Sequence, residues 1–546
     1  MEVFYTYYLA IARWLIALLS IGLAVGWVRY FKALKRPLPI LAELTTADGL
    51  SIPITSKENV IGRGKRADIL IPLKSIHTKH ALLYVENDRW YLSPAEGKIS
   101  INLQNLSQPA PLDYGDKISI AKQQLTFRNR SGEEISSKKS PGAAVYILIL
   151  TVIQLLVLCQ IMLRFKSELH GMVPVCFALL IGGEWIYYLI GRLFKNFTMI
   201  TELPVLFLTT FGLAVCSCVY PEQLLKQTLC YLVGLALAFA LCFLLRYPDF
   251  IQKLQRVIMI LSLALLYYTA FFGTITGGAR NWLTIGGFSF QPSELCKPAF
   301  VLCGGATLYT IIKKPKIQWE FLVYSFLSMG ALAIMYDFGA VLIFFVGMLM
   351  ILTLRLMHPA IIFGLSGGAA VGGVCLLLFY PYIARRFGVW LHAWEYADST
   401  GYQQTRTMIA AASGGMLGVG GGNGRLSAVS AADSDLVFGI ISEEWGGIVA
   451  LVIAFSLAAL VFYAYRLAKN AGSSLYTVTV LGAAVMLIFQ SALNIFGSLD
   501  LLPLTGVTLI FVSRGGTSII GALLMLAFFK GAELNKKQIS PWRYEE

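Results

Sequence analysis

Residues Gly278-Ala-Arg-Asn-Trp-Leu-Thr-Ile-Gly-Gly-Phe-Ser-Phe-Gln-Pro-Ser-Glu294 form a polar, glycine-rich, hairpin-like loop between two segments apolar enough to cross a bilayer. Connections between membrane helices are usually short and plain. A long one carrying Arg280, Trp282, Gln291, Ser293 and Glu294 suggests a site that handles a polar substrate at a membrane surface.

Composition points the same way. Of 546 residues, 57% are hydrophobic and 14% charged, with a mean hydropathy of +0.68. This excludes an ordinary soluble enzyme and predicts a polytopic α-helical membrane protein. The net charge of +14 is not a nucleic-acid signal, because its cations flank apolar runs. Arg29-Tyr-Phe-Lys32-Ala-Leu-Lys35-Arg36, Lys313-Lys314-Pro-Lys316 and Lys536-Lys537 are examples, and such flanks stay cytoplasmic and orient a chain. The nine cysteines lie in or beside apolar segments without CxxC spacing, which favours packing thiols over a disulfide framework. His77, His80, His170, His358 and His392 are scattered, so a protein-caged zinc is not expected.

The first apolar run, about Phe4 to Val28, has no basic leader, contains Arg13 and ends in a basic block. It reads as a retained anchor (residues 1–36) with its N-terminus outside. Between residues 37 and 130 charge rises, and short β-branched pieces such as Asp68-Ile-Leu-Ile and Asp116-Lys-Ile-Ser-Ile alternate with turn residues. That pattern predicts a small all-β sandwich. Residues 131–142 are a polar linker. Further spans are expected near 143–163, 172–191, 199–219, 224–245, 255–277, 293–312, 319–335, 339–357, 359–381, 437–465, 474–498 and 502–530. With the anchor this makes about thirteen helices. They divide into an extra hairpin (143–195), a core (196–533) and a tail (534–546). Alternation from an outside N-terminus places the sandwich and the tail in the cytoplasm, and puts the opening loop and a second one, about Pro381 to Ser434, outside. Arg385-Arg386 runs against that bias.

These two loops and their flanks carry the groups capable of chemistry. Glu294 and Lys297 stand one helical turn apart, where they can pair or snorkel at a helix end. Asp337, in Tyr336-Asp-Phe-Gly339, is either a site carboxylate or a helix cap. The long loop holds Gly401-Tyr-Gln-Gln, Arg406 and the glycine-dense run Ser413 to Gly424, which includes Asn423. Such a run suits a sharp bend or a close approach to a ligand, or it is an ordinary surface loop. No βαβ unit surrounds it, so a dinucleotide fold is not supported. Asp435 follows at a helix mouth, where a carboxylate caps the helix or serves as general base. Glu443 and Glu444 fall inside the next span and should face the bundle interior, paired or protonated, with Arg514 a candidate partner for Glu444.

In chain order, GARNWLTIGGFSFQPSELCK, YDFG, GYQQTRTMIAAASGGMLGVGGGNG, SDLVFGIISEEWG and TGVTLIFVSRGGTS resemble the blocks of the SEDS family, the FtsW/RodA/SpoVE proteins of division, elongation and sporulation. The likeness covers about residues 199 to 530. It implies a ten-span core in a bacterial cell membrane, polymerising peptidoglycan glycan strands beside a class B penicillin-binding transpeptidase. Lipid II and undecaprenyl-pyrophosphate-linked glycan would be the substrates, joined with inversion at the outer leaflet. By position Asp435 matches the family's essential aspartate, Glu294 and Lys297 its Gln-Pro-Ser-Glu-x-x-Lys block, and Glu444 its Glu-Glu-x-Gly block. Asp435 is thus the catalytic candidate. Arg280, Trp282, Gln291, Ser293, Glu294, Lys297, Asp337, Arg406, Ser413, Asn423 and Glu444 are the substrate-binding candidates. Arg280, Lys297, Arg406, the Arg385-Arg386 pair or a divalent cation (Mg or Mn) would neutralise the leaving diphosphate; no cofactor is assured.

Three departures stand out. Ser430-Ala-Ala-Asp-Ser434 replaces the usual Pro-Glu-x-His-Thr, Asn281 stands where Arg is common, and Thr508-Leu-Ile510 with Arg514 replaces Pro-Leu-Pro and Ser-Tyr-Gly-Gly. The alternatives are a lipid II flippase, or an inactive scaffold that recruits the transpeptidase under phospho-control. The sandwich resembles a forkhead-associated (FHA) domain in Ile61-Gly-Arg-Gly64, Ser75-Ile-His-Thr-Lys-His80-Ala and Tyr114-Gly-Asp-Lys-Ile-Ser-Ile. That implies a phosphothreonine protein as partner, held by Arg63, Ser75, His77 and Lys79. His77 stands at the usual Ser, and the Asn-Gly-Thr block is replaced near Gly97-Lys-Ile99, so a fold-only domain is the other reading.

Overall fold

The computed structural model describes residues 2–33, 40–46, 49, 51–54, 58–63, 67–71, 73, 75–86, 89–121, 123–129, 142–165, 171–193, 198–286, 288–309, 318–356, 359–469, 471 and 473–535. Most of the linker, the tail beyond Asn535, Lys35, Arg36, Gly64, His170, His358 and the Lys313–Lys316 cluster lie outside the described residues. The chain divides into two compact units, one built on the strands and including Leu467–Thr477 and the residues from Ala532, the other formed by the rest of the helices.

In the first unit, alternation of inward and outward residues sets the strands. They are β1 (Ala42–Thr46), β2 (Ser51–Ile54), β3 (Glu58–Gly62), β4 (Ile69–Leu70), β5 (Ala81–Glu86), β6 (Arg89–Pro94), β7 (Ile99–Ile101), β8 (Gln104–Leu106), β9 (Ala110–Leu112), β10 (Lys117–Ile120) and β11 (Gln123–Arg128). Two sheets form, in the orders β2-β1-β11-β10-β7-β8 and β4-β3-β5-β6-β9. Ile118 of β10 faces Ile101 on one side and Leu125 on the other, so one register serves both neighbours. Period-two alternation turns Leu44, Ile118, Leu125 and Phe127 inward from one sheet and Ile61, Leu83 and Leu92 from the other. This is the expected sandwich.

The helical unit comprises α1 (Glu2–Ala33), α2 (Ala143–Phe165), α3 (Met172–Leu193), α4 (Glu202–Val219), α5 (Pro221–Leu244), α6 (Pro248–Phe272), α7 (Pro292–Tyr309), α8 (Gln318–Ile334), α9 (Phe338–Leu356), α10 (Pro359–Phe379), α11 (Pro381–Val389), α12 (Tyr402–Gly414), α13 (Val437–Glu444), α14 (Gly446–Lys469), α15 (Ser474–Ser498) and α16 (Gly516–Asn535). Proline opens α5, α6, α7, α10 and α11, where its missing N–H removes no helical bond. Among the described residues, ten of these helices are long and apolar enough to cross a membrane, and α8 and α9 are apolar but shorter. Together with α7, which carries Glu294, Lys297 and Pro298, they stand at the thirteen expected positions. Helices α4 and α16 are the most enclosed, each with 83% of its span buried.

Three spans differ from their expected course. The 255–277 span stops at Phe272, and β12 (Thr274–Thr276), β13 (Ala279–Ile285) and β14 (Phe288–Phe290) make a small antiparallel sheet. Its first turn is Gly277-Gly278, both at positive φ, the geometry that two-residue hairpins demand. The 437–465 span breaks between α13 and α14, where Gly446 takes φ +87°. The glycine-dense run fills that break: Val419 and Gly420 N–H donate to Glu443 and Glu444 carbonyls at 2.9 and 2.8 Å, and Gly447 N–H to Gly415 O at 2.8 Å. Backbone groups the helix abandons are thereby satisfied. The 502–530 span is helical only from Gly516, because residues around Pro503 and Gly506 run irregularly between α15 and α16.

Phe127 is fully buried and packs edge-on against Trp90, ring centroids 5.6 Å apart. Phe127→Ala should cost the β unit about 3–5 kcal/mol. Hydrogen exchange on the full chain should then show the sandwich strands losing protection together while α15 keeps its own.

Candidate active site

One end of the helical unit holds a cavity of about 2120 Å³. Its wall draws on the β12–β14 hairpin, α7, α10, α11, the 430–435 turn, the 502–508 segment and the start of α16. Four of the expected site residues share this wall: Trp282, Gln291, Asp337 and Asp435. Asp337 does two jobs at once. Its Oδ1 accepts the Ala340 amide at 3.1 Å and caps α9, while Oδ2 accepts Asn281 Nδ2 at 3.0 Å and Gln291 Nε2 at 3.2 Å. The hairpin is thus pinned to the helix that faces it.

Asp435 sits in the turn before α13. It does not cap that helix, whose N-cap is Leu436 without a side-chain bond. Its position is fixed through the backbone: Asn494 Nδ2 donates to the carbonyls of Ser434, Asp435 and Val507 at 3.4, 3.2 and 2.8 Å. Ser513 Oγ adds a bond to Ser434 O at 2.5 Å. Burial pushes the Asp435 carboxyl above the ordinary carboxylate range. Hydrogen bonding by Ser434 and the Arg386 charge pull the other way, and Asp433 adds a last push upward. Arg386, on α11, lines the same wall and donates to Leu504 O at 2.8 Å.

Other expected residues stand behind or away from the wall. Ser293, Glu294 and Lys297 are buried. Lys297 Nζ donates to Glu294 Oε1 at 2.5 Å and to Gln490 Oε1 at 2.7 Å. Gln490 Nε2 in turn reaches Thr508 O at 3.0 Å, and Thr508 Oγ1 meets Ser518 Oγ at 2.9 Å. The Glu294/Lys297 pair therefore anchors a polar strut beneath wall residues Thr508 and Ser518. Arg280 turns to the end of α6, toward the carbonyls of Ala270 and Phe271 at 3.5 and 3.4 Å. Arg406 is exposed and lies over Tyr402, 4.9 Å from its ring centre. Ser413 Oγ bonds Ala410 O at 2.8 Å, and Asn423 Nδ2 bonds Tyr5 Oη at 2.8 Å.

The suggested Glu444–Arg514 pair does not form. Glu444 Oε2 accepts the Gly422 amide at 2.9 Å, and Glu443 takes the Arg425 and Leu426 amides at 2.9 and 3.0 Å. Backbone amides, dense where glycines bend the chain, satisfy these acids without a cation. Arg514 instead forms an ion pair with Asp433, whose side chain is 2% exposed. It also donates to Gln223 Oε1 at 2.8 Å and lies over Tyr220. Asp433 and Arg514 belong to two of the three departures, in separate sequence blocks, and here they meet on the cavity wall. Among the described residues no three His, Cys, Asp or Glu side chains group to hold a metal. With Asp433 engaged by Arg514, this part of the wall offers a divalent ion the Asp435 carboxylate and not a full set of protein ligands.

In the β unit, the Arg63 amide donates to His77 O at 3.1 Å, joining two loops. Arg63, Ser75, His77 and Lys79 are all exposed there. His80, which the sequence reading did not single out, is buried and orders the second loop, accepting the His77 amide at 3.2 Å and meeting Lys98 O at 3.1 Å.

Residues 191–538 match the FtsW/RodA/SpoVE family, described as cell cycle proteins. The chain belongs to that family. Helices α4 to α16 fall within the matched stretch; α1, α2 and nearly all of α3 precede it. A second match, over residues 59–121, is to the FHA domain. FtsW of Nitrosococcus halophilus, a probable peptidoglycan glycosyltransferase, is 31% identical over 48% of this chain and 70% of its own length. FtsW of Wigglesworthia glossinidia brevipalpis, described alike, is 30% identical over 43% and 64%. The peptidoglycan glycosyltransferase RodA of Mycobacterium bovis is 27% identical over 42% and 54%. The match thus spans only part of each curated relative. A solved chain from a peptidoglycan synthase complex shares the helical fold at 24% identity, with a TM-score of 0.54 over 63% of this chain and all of that one.

Arg514→Tyr alone leaves Asp433 buried without its cation and should cost roughly 3–5 kcal/mol. Asp433→His alone should also destabilise. The double variant, which restores the residue types the family usually has at both places, should be more stable than Arg514→Tyr in a thermal-unfolding double-mutant cycle.

Proposed function

We propose that this chain is a peptidoglycan glycosyltransferase that joins a lipid II acceptor to a growing glycan held on undecaprenyl diphosphate. The observation that carries the reading is Asp435, tethered through its backbone on the wall of a cavity far larger than an ordinary small-molecule pocket. Such a volume suits two lipid-linked saccharides.

The acceptor's 4-hydroxyl oxygen attacks the anomeric carbon of the donor strand. A new C1–O4 bond forms, the bond from C1 to the diphosphate oxygen breaks with inversion, and Asp435 takes the hydroxyl proton. Arg386, on the same wall, neutralises charge on the leaving diphosphate. The hairpin residues Trp282 and Gln291, with Asp337 behind them, position the saccharides.

Orientation follows from the cationic flanks: cavity end and N-terminus outside, β unit and C-terminal tail in the cytoplasm. A class B penicillin-binding transpeptidase is the partner on the outer side, a reading supported by the peptidoglycan synthase complex, coordinating polymerization and crosslinking, in which the similar fold occurs. On the inner side the exposed loops bearing Arg63, Ser75, His77 and Lys79 bind a phosphothreonine protein.

Asp435→Asn should fold and lower polymer formation from labelled lipid II by about 10²–10⁴-fold. The sign of its stability effect is also set. A folded-state pKa raised by burial favours the protonated carboxyl, so stability from this group is present at low pH and is lost as pH rises through the folded pKa. Asp435→Asn should therefore raise Tm at neutral pH, with the difference vanishing in acid. A fully active variant would remove Asp435 as the base.

A further inference from the structure

Helices α1 and α2 precede the family stretch, yet both reach the glycine-dense segment that leads to Asp435. Arg13 Nη1 of α1 donates to Gly418 O at 2.8 Å. Asn423 Nδ2 donates to Tyr5 Oη, about two helical turns before Arg13, at 2.8 Å. From α2, Gln160 Oε1 accepts the Gly421 amide at 3.4 Å. Tyr8 Oη donates to Leu156 O at 2.7 Å and bolts the two helices together. Packing agrees with the hydrogen bonds. Gly420 holds φ +100°, and a β-carbon there would collide with Leu9 of α1; one at Gly422 would lie 2.6 Å from Phe165 of α2.

The opposite face of the segment is held by Glu443 and Glu444 through the amides of Gly422, Arg425 and Leu426. The segment is therefore gripped on two sides. One grip belongs to the family core, and the other is supplied by helices that precede it. A plain membrane tether has no use for an arginine inside an apolar helix, a costly choice in a bilayer. Arg13 lies within the Phe4–Lys32 span, and its guanidinium is aimed at a glycine carbonyl.

We propose that α1 and α2 form a brace that sets the position of the 415–426 segment, and through it of Asp435, with Arg13 and Tyr5 as positioning residues. The catalytic consequence rests on the glycosyltransferase reading; the brace itself does not.

The test uses the purified full-length chain in lipid nanodiscs, as wild type, Arg13→Ala, Arg13→Lys and Tyr5→Phe. Hydrogen exchange is followed at residues 415–426, with α15 as internal reference, and polymerisation is followed with labelled lipid II. Arg13→Ala should speed exchange in 415–426 by about tenfold, the worth of one such bond, and leave α15 unchanged. Its kcat should fall roughly ten- to hundredfold with little change in KM, as expected of a misplaced group. Arg13→Lys should recover part of both, and Tyr5→Phe should act in the same direction more weakly. Should Arg13→Ala fail to fold, Tyr5→Phe and Arg13→Lys carry the exchange measurement. Unchanged exchange in 415–426, or equal loosening of α15, overturns the brace. A wild-type chain that makes no polymer, with exchange altered as expected, removes the glycosyltransferase reading and leaves the brace standing.

Discussion

Backbone amides and carbonyls inside a membrane bundle must find partners within the protein, because the lipid offers none. The interruption between α13 and α14 creates such a debt of groups, and most of the candidate site is arranged around meeting it. The glycine-dense run can lie against the break because it carries few side chains. Glu443 and Glu444 then collect the amides that the run itself exposes. Two carboxylates that would be costly as lone charges become the fasteners of a loop. Asp435 lies between that loop and α13, and its turn is held there by Asn494 and Ser513.

A second polar framework supports the neighbouring part of the wall. The chain of bonds from Glu294 through Lys297, Gln490 and Thr508 to Ser518 joins α7, α15 and the irregular segment before α16. Asn494, one turn beyond Gln490, ties that segment to the Asp435 turn. Side chains that line the cavity are thus backed by side chains that never touch it. Truncating Lys297 would be felt at Thr508, much as removal of a supporting partner is felt at a metal ligand.

Much of this was legible in order and little of it in pairing. Long apolar runs located the helices, and the polar, glycine-rich stretch from Gly278 read as hairpin-like, although the span before it was carried on to residue 277 and so over β12. The break at Gly446 was missed, because Val437 to Tyr465 has the length of a single span and was read as one with Glu443 and Glu444 inside it. Its cause is a segment elsewhere in the chain that satisfies the freed backbone. Charge pairing failed for the same reason: the spacing of Glu294 and Lys297 is local and was read correctly, whereas Asp433 and Arg514 meet only through tertiary structure. The one available signal was that both stood where the family pattern has other residues. Asp337 was framed as cap or site carboxylate; one oxygen caps α9 and the other holds Asn281 and Gln291. Arg406, Ser413 and Asn423 were drawn in by proximity along the long loop, and folding carries them off the cavity wall.

The proposed catalysis turns on Asp435 working as an ionised base in a partly desolvated place beside Arg386. The most direct measurement is the pH dependence of single-turnover glycosyl transfer in the full-length chain, beside an Arg386→Gln variant. The acid limb should lie above the ordinary carboxylate range and move further upward when the Arg386 charge is removed. An acid limb at the ordinary range, or one that Arg386→Gln leaves in place, would contradict the proposed catalysis.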